Sequence, residues 1–180
     1  MHDGDKLWSS VGSAGIVDTA DLGKVVFAGP VAQLPGIVVV PPETMARPVA
    51  FGQTKAVIRY PVTPVDGVAL PFEPMGKPHA RYRLDVLARL GRGGIHVRFQ
   101  EVPIVTGPTP EIVEHSLFDF PIENSGPGFN ITHFVNVSAP ELDFVKNCYY
   151  VEITLSESSA PIVIDSPGVA LIQLVHTTKY

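Results

Sequence analysis

Basic side chains that could hold a negatively charged group recur at alternate positions along two predicted strands. They are Arg81, Arg83, Arg89, His96 and Arg98. A guanidinium group donates paired hydrogen bonds to a carboxylate, sulfate or phosphate, so arginines gathered on a rigid sheet can bind an anion. The pattern therefore predicts a binding face for an anionic ligand or a carbohydrate on the polar side of a β-sheet.

A glycine-rich turn separates these two strands and decides which basic residues meet. The turn Gly91-Arg92-Gly93-Gly94 lies between two runs of alternating polar and apolar residues, a pattern typical of an antiparallel hairpin. In such a hairpin Arg89 would lie near His96. Two interpretations other than ligand binding remain open, namely a solvated sheet face and ion pairing within or between subunits. The acidic candidates for such pairing are Glu101, Glu111 and Glu114.

The remaining reactive residue types do not fall into a catalytic or metal-binding motif. The histidines lack the short spacings of a zinc site, and the single cysteine, Cys148, has aromatic and apolar neighbours that predict a buried structural thiol. An enzyme would need a pocket in which His96, His115 or Glu152 acts as acid or base, and no nucleophile motif accompanies these residues. We therefore predict no catalytic residues, no metal and no cofactor.

The composition indicates a globular chain with few surface charges. Of the 180 residues, 45% are hydrophobic and only 17% are charged, and the mean hydropathy is +0.21. A surface this poor in charge predicts that some apolar area is covered by a partner, most simply by further copies in a homo-oligomer. The net charge of −5 argues against nucleic acid as a partner.

Neither a membrane span nor an export signal is visible in the sequence. No apolar run approaches the roughly 18 residues that a membrane-spanning helix requires. The first residues, Met1 to Asp5, lack the basic and apolar regions of a signal peptide. We expect either a cytoplasmic protein or an exported one whose leader has been removed.

Short apolar runs between glycines and prolines predict an all-β fold. The chain has 16 glycines and 18 prolines spread along its length, as expected for turns between many short strands. The predicted strands are residues 24–28, 36–40, 55–60, 81–90, 95–100, 112–120, 129–137, 148–155 and 169–176. We predict one domain, residues 1–180, folded as an antiparallel β-sandwich of about 8–10 strands with a jelly-roll-like topology. Residues 1–20 are expected to form an N-terminal arm and residues 61–78 a proline-rich loop region.

Two segments resemble a known group of sequences. Residues 8–18, Trp-Ser-Ser-Val-Gly-Ser-Ala-Gly-Ile-Val-Asp, resemble the N-terminal end of a set of uncharacterised bacterial proteins. Residues 149–155, Tyr-Tyr-Val-Glu-Ile-Thr-Leu, resemble their C-terminal end. The resemblance covers a small part of the chain. It implies a β-sandwich without an assigned activity, and it assigns no catalytic residues.

The function that these observations favour is non-catalytic. We expect a β-sandwich protein that acts through self-association or surface interaction, in a structural or assembly role. The first alternative is a carbohydrate- or anion-binding module that uses the arginine-bearing sheet face. The second alternative is an enzyme with a pocket inside the sandwich.

Overall fold

Eleven β-strands make up most of the regular structure among the residues described. The structure is a computed structural model and describes residues 6–35, 55–63, 81–91, 93–104, 114–123, 128–136, 142–157 and 166–177. Two single-turn 3₁₀ helices, Gly12–Ala14 and Thr19–Asp21, lie near the start of this part of the chain. The strands are β1 (Lys6–Val11), β2 (Ile16–Val17), β3 (Val26–Ala28), β4 (Val31–Gln33), β5 (Lys55–Val62), β6 (Arg81–Arg89), β7 (Gly94–Pro103), β8 (His115–Ile122), β9 (Asn130–Asn136), β10 (Asn147–Ser156) and β11 (Gly168–Thr177).

The strands form two antiparallel sheets. The first sheet has the order β3-β4-β11-β6-β9, with β1 also paired to β11, and the second has the order β2-β5-β10-β7-β8. Among the eight longest described strands, the first pairs with the last, the second with the seventh, the third with the sixth and the fourth with the fifth. This nested pairing is the strand order of a jelly roll. The predicted all-β antiparallel sandwich is confirmed, and the short strands β2, β3 and β4 add to the eight long ones.

The core lies between the two sheets because alternate side chains of each strand point inward. Leu84 and Val86 of the first sheet and Val151 and Ile153 of the second are fully buried. Aromatic rings fill the space between them, with the centroids of Phe99 and Phe118 5.9 Å apart. Burying each large apolar side chain contributes about 1.5–3 kcal/mol, so this layer supplies most of the stabilisation of the fold.

The predicted hairpin between β6 and β7 is wrong. β6 pairs with β9 and β11 in the first sheet, whereas β7 pairs with β8 and β10 in the second. Both strands keep the predicted alternation of polar and apolar residues. A strand needs this alternation whenever one of its faces is buried, whether its neighbour lies in the same sheet or in the opposite one. The connection passes close to β10, and a Cβ atom on Gly93 would clash with the carbonyl oxygen of Ser156. Gly93 is therefore required for the close approach of this connection to β10 and not for a hairpin turn.

The other predicted strands that fall on described residues correspond to observed ones with small shifts at their ends. Predicted residues 148–155 and 169–176 fall within β10 and β11, and residues 129–137 correspond to β9. The predicted strand at residues 36–40 lies outside the described residues, as does residues 64–78 of the proline-rich region. Residues 6–17 of the expected N-terminal arm contain β1 and β2. Among the described residues, no helix has the length and hydrophobicity needed to cross a membrane.

Candidate functional site

The basic residues predicted from the sequence are divided between the two sheets. Arg83 and Arg89 belong to β6 in the first sheet, of which Arg81 is the first residue. His96 and Arg98 belong to β7 in the second sheet. The expected proximity of Arg89 and His96 is wrong, because it depended on the hairpin that does not form. The five residues therefore do not make up one binding face.

On the outer face of the second sheet, six side chains form a continuous row of ion pairs, which we call the charged row. Its members, each in contact with the next, are Asp18, Arg59, Glu152, Arg98, Asp119 and His96. The strand register creates the row, since Glu152 of β10 lies opposite Arg59 of β5 on one side and Arg98 of β7 on the other. Arg98 in turn lies opposite Asp119 of β8.

The contacts within the charged row are closest at its two ends. Arg59 donates from Nε to Glu152 Oε2 at 3.0 Å and from Nη1 to Asp18 Oδ2 at 3.1 Å. His96 Nε2 lies 2.8 Å from Asp119 Oδ1. Arg98 is held more loosely, with Nε 3.5 Å from Asp119 Oδ2 and Nη1 3.6 Å from Glu152 Oε1. The backbone N–H of Ala20, with the Arg59 guanidinium, holds the pKa of Asp18 below its usual range.

The charged row carries no excess of positive charge. Three carboxylates face two guanidinium groups, and His96 is neutral unless protonated. Glu152 is the most enclosed member, with only 10% of its side chain exposed, and both arginines lie beside it. Because each arginine already contacts carboxylates, the row offers mixed donors and acceptors rather than a concentrated positive potential.

Arg83 is paired within the first sheet. Its Nε and Nη2 donate to the two oxygens of Asp85 at 2.8 and 3.0 Å, and His133 Nδ1 lies 2.7 Å from Asp85 Oδ1. Asp85 is only 4% exposed, so the two basic neighbours compensate a nearly buried carboxylate. The acidic partners predicted from the sequence were different residues, and the partners in the structure lie on the same or adjacent strands.

Arg89 joins separate parts of the first sheet. It donates from Nε to the carbonyl oxygen of Ser166 at 3.2 Å and from Nη2 to Gln33 Oε1 at 3.1 Å. Its guanidinium also lies 5.1 Å from the centroid of the Phe129 ring. These contacts link β6 to β4 and to the segment before β11, which is a structural role.

The acid–base candidates are spread over the second sheet. His96 and Glu152 both belong to the charged row, where His96 contacts the Asp119 carboxylate and Glu152 pairs with the Arg59 guanidinium. His115 is exposed and begins the edge strand β8. Within the described segments, no group of three or more His, Cys, Asp or Glu side chains could hold a metal ion. Cys148 is exposed, so the prediction of a buried thiol is wrong.

A group of exposed apolar side chains was missed by the sequence analysis. We call it the N-terminal rim, and its members are Val11, Ile16, Leu22, Val26 and Phe27, with exposures between 42% and 67%. At one end of the sandwich the edge strands β8 and β9 of the two sheets contact each other through the stacked rings of Phe120 and Phe134. The edge strands at the other end are β2 and β3, which carry three of the rim residues. The sequence analysis predicted a strand at residues 24–28 but not its exposure, and nothing in the local pattern marks it as an edge strand.

Hydrogen bonds hold the chain segment that carries the N-terminal rim against the sandwich. The hydroxyl of Tyr60, a core residue of β5, donates to the carbonyl oxygen of Gly12 at 2.8 Å. Asp21 accepts from the backbone N–H of Val57 at 2.9 Å and from Lys24 Nζ at 2.7 Å. A Cβ atom on Gly12 would clash with the carbonyl oxygen of Val169, so only glycine allows this close approach. The rim is therefore fixed to both sheets.

No family model matches the chain, and a search of curated proteins finds no significant match. The chain is an antiparallel β-sandwich with a charged row on the outer face of one sheet and exposed apolar side chains along its N-terminal rim.

Proposed function

We propose that this protein is non-catalytic and acts by self-association into a homo-oligomer, in a structural or assembly role. One observation carries the proposal, namely that five of the eight exposed large apolar side chains in the described part of the chain belong to the N-terminal rim. The other three, Ile104, Ile131 and Val145, lie on different strands or loops. Exposed apolar side chains concentrated in one stretch of the chain, residues 11–27, indicate an interaction surface.

The energetics support association through this surface. Removing apolar area from water contributes about 25 cal/mol per Å², and the rim exposes about half of each of its side chains. The charged groups offer no comparable attraction, since the arginines described above already bind carboxylates or carbonyl groups. The weak sequence resemblance to uncharacterised bacterial β-sandwich proteins agrees with a role that needs no catalytic residues.

Size-exclusion chromatography with light scattering tests the proposal. We expect the wild-type protein to elute as an oligomer at micromolar concentrations and to dissociate on dilution. Leu22→Asp should shift the equilibrium to the monomer, because a charge in an apolar contact is strongly unfavourable. Val145→Asp is the control, since Val145 is an apolar residue that is even more exposed than Leu22, 87% against 67%, but lies far along the chain from the rim. A wild-type monomer at all concentrations would overturn the proposal.

Carbohydrate binding at the charged row is the second candidate. The observation that favours it is that Arg98 and Asp119 are each nearly half exposed and present donors and acceptors side by side. The ring of Tyr150 lies beside Arg59, with the guanidinium 5.9 Å from its centroid, and can provide a flat apolar contact for a sugar. A neutral sugar suits this row better than an anion, because the row has no excess positive charge.

A glycan array tests the second candidate. We expect signals that disappear in Arg98→Gln and persist in the control His115→Gln, which changes an exposed residue at the end of β8. An array without signals from a folded sample would exclude carbohydrate binding among the sugars tested and would leave self-association as the single proposal.

A further inference from the structure

We infer that two copies of this chain pair through β3, edge to edge and antiparallel, around a twofold axis at Phe27. The inference rests on the proposed self-association and names the contact that produces it. It follows from three properties of β3, namely its position at the end of a sheet, the direction of its backbone groups and the absence of charge along it.

β3 is short, but it lacks the charged residues and prolines that protect longer edge strands. Natural proteins prevent unwanted pairing at sheet edges with charged residues, prolines or very short strands. Among the described strands, β8 carries His115, Asp119 and Pro121, and β9 carries His133 together with asparagines at both ends. β2 has only two residues, and β1 includes lysine and two serines. By contrast, β3 reads Val-Phe-Ala, and all three residues are exposed.

The turn after β3 fixes which backbone groups point outward. β3 and β4 are joined by the two-residue turn Gly29-Pro30, and Gly29 has φ 59°, as a type II′ hairpin requires. In such a hairpin Ala28 and Val31 form the hydrogen-bonded pair next to the turn. Since hydrogen-bonded and non-hydrogen-bonded pairs alternate, the N–H and C=O of Phe27 point away from β4. Phe27 therefore presents one donor and one acceptor at the open edge.

A twofold axis at this position satisfies both groups. The N–H of Phe27 in each copy donates to the C=O of its counterpart, so two equivalent hydrogen bonds form. The axis also places Val26 opposite Ala28 of the second copy, which buries apolar side chains without opposing like charges. Lys24, two residues before β3, is the nearest charged residue in the sequence, and its Nζ already pairs with Asp21 Oδ1 at 2.7 Å. β3 is thus complementary to itself.

Cysteine cross-linking tests the geometry directly. In an antiparallel hydrogen-bonded pair the Cα atoms lie about 5.5 Å apart, within the range that a disulfide spans. We expect Phe27→Cys, made in a Cys148→Ser background to remove the exposed native thiol, to form a disulfide-linked dimer on mild oxidation. Ile131→Cys in the same background is the matched control, because Ile131 is 50% exposed on another edge strand of the same sheet. Equal cross-linking of the two variants would overturn the inference.

A backbone variant separates this contact from self-association in general. Phe27→Pro removes the outward N–H, and the monomer tolerates it because that N–H does not bond to β4. We expect at least a tenfold weaker dimer for Phe27→Pro and a near-normal dimer for Phe27→Val, with far-ultraviolet circular dichroism confirming that both are folded. An oligomer that survives Phe27→Pro and fails to cross-link at Phe27→Cys refutes pairing through β3 and leaves the proposed function standing. A wild-type monomer refutes both.

Discussion

Replacing Tyr60 by Phe should destabilise the protein by loosening the link between the N-terminal rim and the second sheet. The substitution keeps the ring, which is 1% exposed in the core, and removes only the hydroxyl that donates to Gly12 O at 2.8 Å. A buried hydrogen bond contributes about 0.5–1.5 kcal/mol, and leaving a buried acceptor without its donor costs about 1–3 kcal/mol. Gly12 O keeps a weak second donor, the N–H of Gly15 at 3.5 Å, so we expect a loss of about 1–2 kcal/mol.

Urea unfolding measures this loss. With an m value of about 2 kcal/mol per molar urea, the midpoint should fall by about 0.5–1 M while m stays unchanged. Ser10→Ala is a suitable control, since its hydroxyl makes only a local, solvent-exposed hydrogen bond to Val11 O at 3.3 Å. We expect that control to lie within about 0.5 kcal/mol of the wild type. A Tyr60→Phe variant as stable as the control would refute the argument, because it would show that the hydroxyl does not anchor the rim.

Three further predictions concern the close approach at Gly12, the charged row and the buried phenols. Gly12→Ala should cost more than about 3 kcal/mol of unfolding free energy, because its Cβ would meet the Val169 carbonyl oxygen, whereas Gly23→Ala, in open space with φ 87°, should cost only about 1 kcal/mol in the same urea assay. Glu152→Gln should cost about 1–2 kcal/mol, and the difference from wild type should shrink in molar salt; a difference that does not depend on salt would contradict an electrostatic origin. Burial raises the pKa of Tyr149 and of Tyr150 to about 12, so their contribution to stability is complete below pH 10 and is lost as the pH rises through 12. Phenolate absorbance should therefore show both residues ionising late, and Tyr149→Phe should remove one late transition; ionisation of both near pH 10 in the folded protein would contradict it.

The alternation of residue types predicted the strands and their inward faces but not their partners. Leu84 and Val86 of β6 and Val97 and Phe99 of β7 point into the core as expected. Alternation is a property of one strand, however, and β6 and β7 satisfy it from opposite sheets. The assignment of the turn at residues 91–94 to a hairpin was wrong for this reason. Strand pairing depends on contacts between distant segments, which periodicity does not encode.

The same limit explains what was missed at the candidate sites. The types of Arg59, Glu152 and Asp119 are visible in the sequence, but only the register of four strands brings them into one row. Phe27 lies in a short apolar run that was predicted only as a strand, and it is exposed because β3 ends its sheet among the described strands. The edge position of Phe27 depends on the pairing of β4 with β11, which leaves β3 bonded on one side only among the described strands.

The nesting of the strands has a consequence for how this chain acquires its fold. β1 pairs with β11 and β5 pairs with β10, so each of these pairs joins strands that are far apart in the sequence. The outermost pairs therefore form only after nearly all of the intervening polypeptide has been synthesised. Closing such long loops is entropically costly, and topologies dominated by distant contacts fold in milliseconds to seconds rather than microseconds. Before closure, β6 and β7 and their neighbours expose core surface, which makes this early species the stage most sensitive to aggregation and to the rate of synthesis.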